Sequence, residues 1–263
     1  MVDTWWLLIS IQVFGITVFC VVFVSPAMPS AVLTGPAATH SVQLWMCERP
    51  PVSEDDVVED CLSQAECRLA DRLRSWERRW SFAVSRWLGK QAVQPFLQNR
   101  GQGPRRVEIL SEDSTATTSR PVIWVNGALS GLKISVTHAD HTVAVAVTSP
   151  EHRIGIDLAR IQPASQGFTE VWMSDQERSQ VTHSDDPALT ATMNWSSREA
   201  TFKSAGIDDR FRPAHWSVTF DGDSAACFHQ GQRQPVQLSF YRVRNDLLLT
   251  VAGDTDDIIF HSL

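Results

Sequence analysis

Three side chains in this sequence could share one piece of chemistry: Asp157, Glu199 and Lys203. Asp157 lies near the end of Ile154-Gly155-Ile156-Asp157-Leu158, a short apolar run that reads as a strand. Glu199 and Lys203 lie in Trp195-Ser196-Ser197-Arg198-Glu199-Ala200-Thr201-Phe202-Lys203, which reads as a helix. Trp195, Glu199 and Phe202 are spaced by four and three residues, so they share one helical face. An acid between two large apolar side chains on one stripe is out of place in a plain core helix. If the helix packs on the strand, the two carboxylates meet. Mg²⁺ takes oxygen ligands and usually binds one or two carboxylates plus substrate phosphates. Asp157 and Glu199 are therefore a candidate Mg²⁺ seat, and Lys203, one turn further on, would meet the same phosphates.

Several elements must position these groups. Residues 42–45 look like a short strand, and residues 55–92 are helical in character, with Leu62-Ser63-Gln64-Ala65-Glu66 as a helix entry. The second part of that stretch carries Arg78, Arg79, Arg86 and Lys90, read either as a solvated helix face or as one or two phosphate contacts. Residues 98–119 are polar and loop-like, ending at Ser119-Arg120-Pro121. Strands are expected at 122–125, 133–137, 142–148 and 154–158, with a tight turn at Asn126-Gly127. A helix is expected over 168–180, with Ser174-Asp175-Gln176-Glu177 as a capping box. A second helix is expected over 189–205, closed by Gly206. Ser196-x-x-Glu199 also has the capping-box pattern, which would make Glu199 structural. Ala191, Met193 and Trp195 precede it without a breaker, which favours the earlier start. The tail is β-rich: 216–220, 236–243 and 247–251. The order β–α–β–β–β, then β–α–α–β–β–β, hints at two similar α+β halves.

At 263 residues and 43% hydrophobic, the chain can bury a sizeable core. A formal net charge of −7 argues against general nucleic-acid binding, which needs a basic footprint. Cys20, Cys47, Cys61, Cys67 and Cys227 are scattered and form no C-x-x-C pair, so neither a zinc site nor a disulfide framework is indicated, and a reducing compartment fits best. Residues 5–24, from Trp5 to Val24, form a near-continuous apolar run long enough to span a bilayer. No basic residue precedes it and the first after it is Arg49, so the positive-inside rule would place the remaining body in the cytoplasm. The other reading is upstream sequence, with Met28 as the true start. Residues 25–40 read as a linker.

These blocks resemble the 4′-phosphopantetheinyl transferase superfamily, in its larger surfactin-synthetase-activating form. Ile154-Gly155-Ile156-Asp157-Leu158 resembles its G-[IV]-D motif. The run Trp195 through Lys203 resembles W-x-x-K-E-x-x-x-K, with Arg198 for the usual Lys. Ile134-Ser135-Val136-Thr137-His138-Ala139 resembles [IV]-S-x-[ST]-H, and Ser119-Arg120-Pro121 stands at the place of G-[KR]-P. The resemblance implies two α+β halves related by pseudo-twofold symmetry, residues 41–150 and 151–263, preceded by the apolar segment and linker at 1–40. Coenzyme A and Mg²⁺ would lie between the halves. The implied reaction moves the 4′-phosphopantetheine arm of coenzyme A to a serine of an apo carrier protein (acyl, polyketide or peptidyl), releasing 3′,5′-ADP. The resemblance makes Asp157 and Glu199 the metal ligands, and Glu199 and Lys203 the catalytic pair. It makes His138, Thr137, Arg120, Arg86 and Lys90 contacts of coenzyme A, and sets Glu177 near the carrier-binding surface. A monomer is expected, with membrane attachment through residues 5–24 if that run is an anchor.

One position departs from the pattern. The larger members usually carry D-x-E, and this chain has Asp157-Leu158-Ala159. The small homotrimeric branch of the superfamily seats its metal without that second acid. The competing expectation is a catalytically weakened, membrane-tethered module that binds coenzyme A or a carrier protein.

Overall fold

The computed structural model describes residues 6–13, 16–23, 42–48, 61–98, 106–111, 120–207, 210–222, 224–255 and 257–262. The linker expected at 25–40, the start of the helical stretch at 55–60 and Ser119 lie outside them.

The apolar run does not form one helix. It gives β1 (Trp6–Val13) and β2 (Ile16–Phe23), paired antiparallel in a two-stranded sheet of their own. β-Branched residues such as Ile9, Ile11, Val13, Ile16 and Val18 favour the extended backbone. No helix among the described residues is long and apolar enough to cross a membrane.

The remainder is mixed α and β, and its element order runs twice. The first pass is β3 (Val42–Glu48), α1 (Gln64–Ala70), α2 (Trp76–Gln98), β4 (Val107–Ser111), β5 (Pro121–Val125), β6 (Ala128–Leu129), β7 (Lys133–Ala139) and β8 (Thr142–Thr148). The second pass begins with β9 (Ile154–Arg160), α3 (Gln166–Trp172), α4 (Asp175–Thr182) and α5 (Pro187–Ala205). It continues through β10 (Trp216–Asp221), β11 (Ser224–His229), β12 (Gln232–Arg233), β13 (Gln237–Arg244) and β14 (Leu247–Gly253). The sheet orders repeat as well: β3-β8-β7 against β9-β14-β13, and β4-β5-β6 against β10-β11-β12. Within the two passes, α3 and a short 3-10 turn at Pro213–His215 lack counterparts among the described elements. A last strand, β15 (Ile258–Ser262), returns to pair parallel with β3.

Two expectations are corrected here. Residues 98–119 contain β4, a short strand that pairs with β5 and that polar neighbours conceal in the sequence. The single helix expected at 168–180 is two helices. Met173 takes extended backbone (φ −116°, ψ 140°), and Ser174 opens a new helix through its capping box with Glu177.

Burial explains the arrangement. Every residue of β8 is buried. Val143, Val145 and Val147 pack under α2 with Val84, Leu88 and Val93. The small Ala144 and Ala146 face the other way, with Ile154, Ile156 and Leu158 of β9 and Leu247, Leu249 and Val251 of β14. β7 and β9 belong to different sheets, and side chains close the seam between them. Ser135 Oγ accepts from Ile156 N at 3.0 Å, and Thr137 Oγ1 accepts from Leu158 N at 2.9 Å. These hydroxyls satisfy buried β9 amides that no strand neighbour serves on that edge.

A buried ion pair stands in each pass of this element order, on matching elements. In the first, Ser63 and Glu66 form a capping box at the start of α1, Glu66 accepts from Ile109 N of β4 at 2.8 Å, and Lys90 of α2 lies 2.6 Å from its carboxylate. In the second, Ser174 and Glu177 form the box at the start of α4, Glu177 accepts from Val218 N of β10 at 2.8 Å, and Arg198 of α5 lies 2.5 Å away.

Candidate active site

The site forms where α5 crosses β9. Asp186 caps α5 and Pro187 opens it, so Glu199 lies mid-helix and Ser196 does not cap it. Gly206 ends the helix at φ 68°, a left-handed conformation that suits glycine. Trp195, Glu199 and Phe202 share a face, as their spacing requires. Gly155 allows the close crossing, because a Cβ there would stand 1.9 Å from Ala200 O and 2.6 Å from Ser204 N. On this buried face α5 carries small or polar residues, among them Ala191, Ser196, Ser197, Ala200 and Thr201, which let backbone approach backbone.

The crossing brings the two carboxylates together on Lys203. Its ammonium lies 2.8 Å from Asp157 Oδ1, 3.1 Å from Ile156 O and 3.6 Å from Glu199 Oε2. Asp157 is buried, and Thr137 Oγ1 donates to its Oδ1 at 3.4 Å. Burial pushes the Glu199 carboxyl up to about 7. The neighbouring Asp157 carboxylate adds to this by charge and hydrogen bond, and Lys203 opposes it. A group of three or more His, Cys, Asp or Glu side chains able to hold a metal does not occur among the described residues. Ala159 lines the cleft on the same face of β9 as Asp157 and brings no side-chain oxygen.

A cleft of about 800 Å³ opens beside these groups. Val136, Thr137 and His138 of β7 line one wall and β9 the floor, with Phe168, Trp195, Glu199 and Lys203 opposite. Phe168 and Trp172 both meet Trp195 edge to face, at centroid distances of 5.2 and 6.4 Å, so aromatic contacts hold α3 against α5 at the cleft. Partial withdrawal from water, with the Lys203 and Arg78 charges nearby, lowers the His138 imidazole below its usual range.

Asp157, Glu199, Lys203, His138 and Thr137 thus converge on one cleft. Three other expected contacts do not. Arg86 is buried: its Nε donates to Ile109 O at 3.2 Å, its guanidinium stacks 3.8 Å over Phe82, and burial lowers it to about 10. Lys90 is held by Glu66 and by Cys61 O, each at 2.6 Å. Arg120 donates to Ile207 O just past the end of α5, over the Phe202 ring, and ties that end to the first half. Glu177 is also displaced from the expected surface: it is buried and paired with Arg198, whose Nη1 also donates to Trp172 O. Arg78, which shares α2 with Arg86 and Lys90, is the exposed cation near His138. Helical phase alone does not choose among the basic residues of α2. Phe168 and Arg160 also enter the cleft wall, and no sequence pattern marked either for it.

Residues 153–252 match the family model of the 4′-phosphopantetheinyl transferase superfamily. The match begins at the threshold of β9 and ends within β14, so Asp157, Arg198, Glu199 and Lys203 all fall inside it. It supports phosphopantetheinyl transfer as the general chemistry of this site. A comparison with curated proteins finds no match to the chain.

The donor set fits a hard divalent cation such as Mg²⁺. Two hard carboxylate oxygens face one cation position, and in this structure the Lys203 ammonium is the cation between them. A divalent ion needs more oxygens than two side chains bring, and Mg²⁺ commonly completes its shell with water and substrate phosphate.

Proposed function

We propose that this protein is a 4′-phosphopantetheinyl transferase of the holo-carrier-protein synthase kind, built as two α+β halves related by pseudo-twofold symmetry. It transfers the arm of coenzyme A to a serine of an apo carrier protein (acyl, polyketide or peptidyl). One observation carries the reading: Asp157 and Glu199, from a strand and a helix far apart in sequence, face each other across Lys203 in an open cleft.

In this reading coenzyme A lies in the cleft with its pyrophosphate against Lys203 and its nucleotide end toward His138. Asp157 and Glu199 would hold Mg²⁺, which when bound supplies positive charge to the pyrophosphate oxygens. The carrier serine oxygen bonds to the phosphorus that bears the pantetheine arm, and the bond from that phosphorus to the bridging oxygen breaks. Glu199, directly or through a water, takes the serine proton. Lys203 neutralises the phosphate that leaves as 3′,5′-ADP. Thr137 keeps Asp157 oriented through its hydroxyl. Arg120, Arg86 and Lys90 have no part in this scheme, because their side chains are engaged elsewhere.

The test is to incubate the protein with coenzyme A, Mg²⁺ and a range of apo carrier proteins and to weigh the carriers. A phosphopantetheine adduct on the carrier serine is expected. Coenzyme A binding without any adduct across the range would instead favour a binding module weakened by the alanine at position 159.

A further inference from the structure

Lys203 does not extend from α5 into open water. Its side chain is 27% exposed and its ammonium contacts three oxygens: Asp157 Oδ1, Ile156 O and Glu199 Oε2. Two of these belong to the carboxylates that a divalent cation would need. With Ala159 offering none, two carboxylates and one ammonium leave one net negative charge at the seat. A hard divalent ion draws its affinity from anionic oxygens, so the resident ammonium weakens that attraction.

Resting on the proposed function, we infer that Lys203 is an internal competitor for the metal seat. A divalent cation that binds Asp157 and Glu199 displaces the ammonium. The donor's pyrophosphate supplies both the missing oxygen ligands and a new partner for the displaced lysine. A lysine suits this exchange, being a compact point charge on a flexible stem. Metal and donor binding are then coupled through one side chain. Linkage makes the coupling reciprocal, so each ligand tightens the other by the same factor.

The test uses the full chain and Mn²⁺ as probe, titrated with and without coenzyme A at a pH above the Glu199 value of about 7, so that protons do not compete. The parent is expected to bind Mn²⁺ weakly alone and about tenfold more tightly with coenzyme A. Lys203→Met is expected to bind Mn²⁺ alone about tenfold more tightly than the parent, because a like charge has left the seat, and to lose most of the gain from coenzyme A. A second measurement needs no variant: acylation of the Lys203 amine, followed by mass spectrometry, should speed up when Mn²⁺ is added to the parent. Unchanged Mn²⁺ affinity in Lys203→Met, or unchanged amine reactivity in the parent, overturns the inference. Asp157→Asn separates this from the function itself. If Asp157→Asn abolishes a Mn²⁺ site present in the parent, the proposed seat stands whatever Lys203 does. If neither parent nor Lys203→Met binds Mn²⁺ under any condition, the proposed function falls and takes the inference with it.

Discussion

Glu199 is raised from 4.5 to about 7 because it is largely buried beside another carboxylate. The folded protein therefore holds a proton that the unfolded chain has already released at intermediate pH. The stability contributed by that proton is full below about pH 4.5 and is lost as pH rises through about 7. Urea unfolding without divalent metal should show the parent losing stability across this window, and Glu199→Gln should flatten the slope. Parallel profiles for the two would rule out the carboxyl as the source. In the proposed function the same residues govern turnover. Asp157→Asn and Glu199→Gln should each slow carrier modification by about 10²–10³-fold, the usual cost of losing one group that stabilises transition-state charge. Adduct formation followed by mass, with circular dichroism to check folding, measures this, and near-parental rates at saturating Mg²⁺ would remove either residue from the mechanism.

At the scale of elements, α5 is fixed from both sides. Against β9, Gly155 leaves room for the Ala200 carbonyl, and Gly155→Ala should shift or tilt α5, lowering both melting temperature and activity. If Gly155→Ala keeps both, the helix has room that its close contact denies. On the other side, Arg198 joins α5 to Glu177 at the start of α4 and to Trp172 at the end of α3. Each side chain of the pair is 2% exposed. Arg198→Met should therefore destabilise the fold by about 3–5 kcal/mol, because it strands a buried carboxylate. Arg198→Met with Glu177→Gln should recover part of that loss. Chemical denaturation of the two variants checks the order, and a double variant as unstable as the single one would mean that packing, and not charge, dominates here. The lysine of the family motif is an arginine in this chain, and its role is to anchor the helix from inside.

At the scale of the molecule, the cleft lies where β7 and β9 meet with side-chain hydroxyls between them. β1 and β2 lie outside that design: among the described strands they pair only with each other. Deleting residues 1–29 should leave a folded protein that modifies carriers at the parental rate. Loss of the cooperative unfolding transition after this deletion would show that β1 and β2 belong to the core.

Read alone, the sequence determined what local rules govern. The helix entry at Ser63, the capping box at Ser174, a left-handed glycine after α5, the turn at Asn126-Gly127 and the shared face of Trp195, Glu199 and Phe202 each depend on residues a few positions apart, and each appears as expected. Motif resemblance added His138 to the site of Asp157, Glu199 and Lys203, and His138 lines the same cleft. Tertiary structure decided the rest. Arg86 and Lys90 are basic residues on a helix, and nothing local says that their partners are Ile109 O and Glu66, 23 and 24 residues away. The apolar run at the N-terminus satisfies the length rule for a spanning helix, yet residues 6–13 and 16–23 pair as antiparallel strands. The polar stretch after α2 hides β4, which exists because β5 lies beside it. Lys203 shows the same division at its sharpest. Its place one turn after Glu199 follows from helical spacing, but its position between two carboxylates follows only from where α5 crosses β9, and that crossing is set by packing at Gly155.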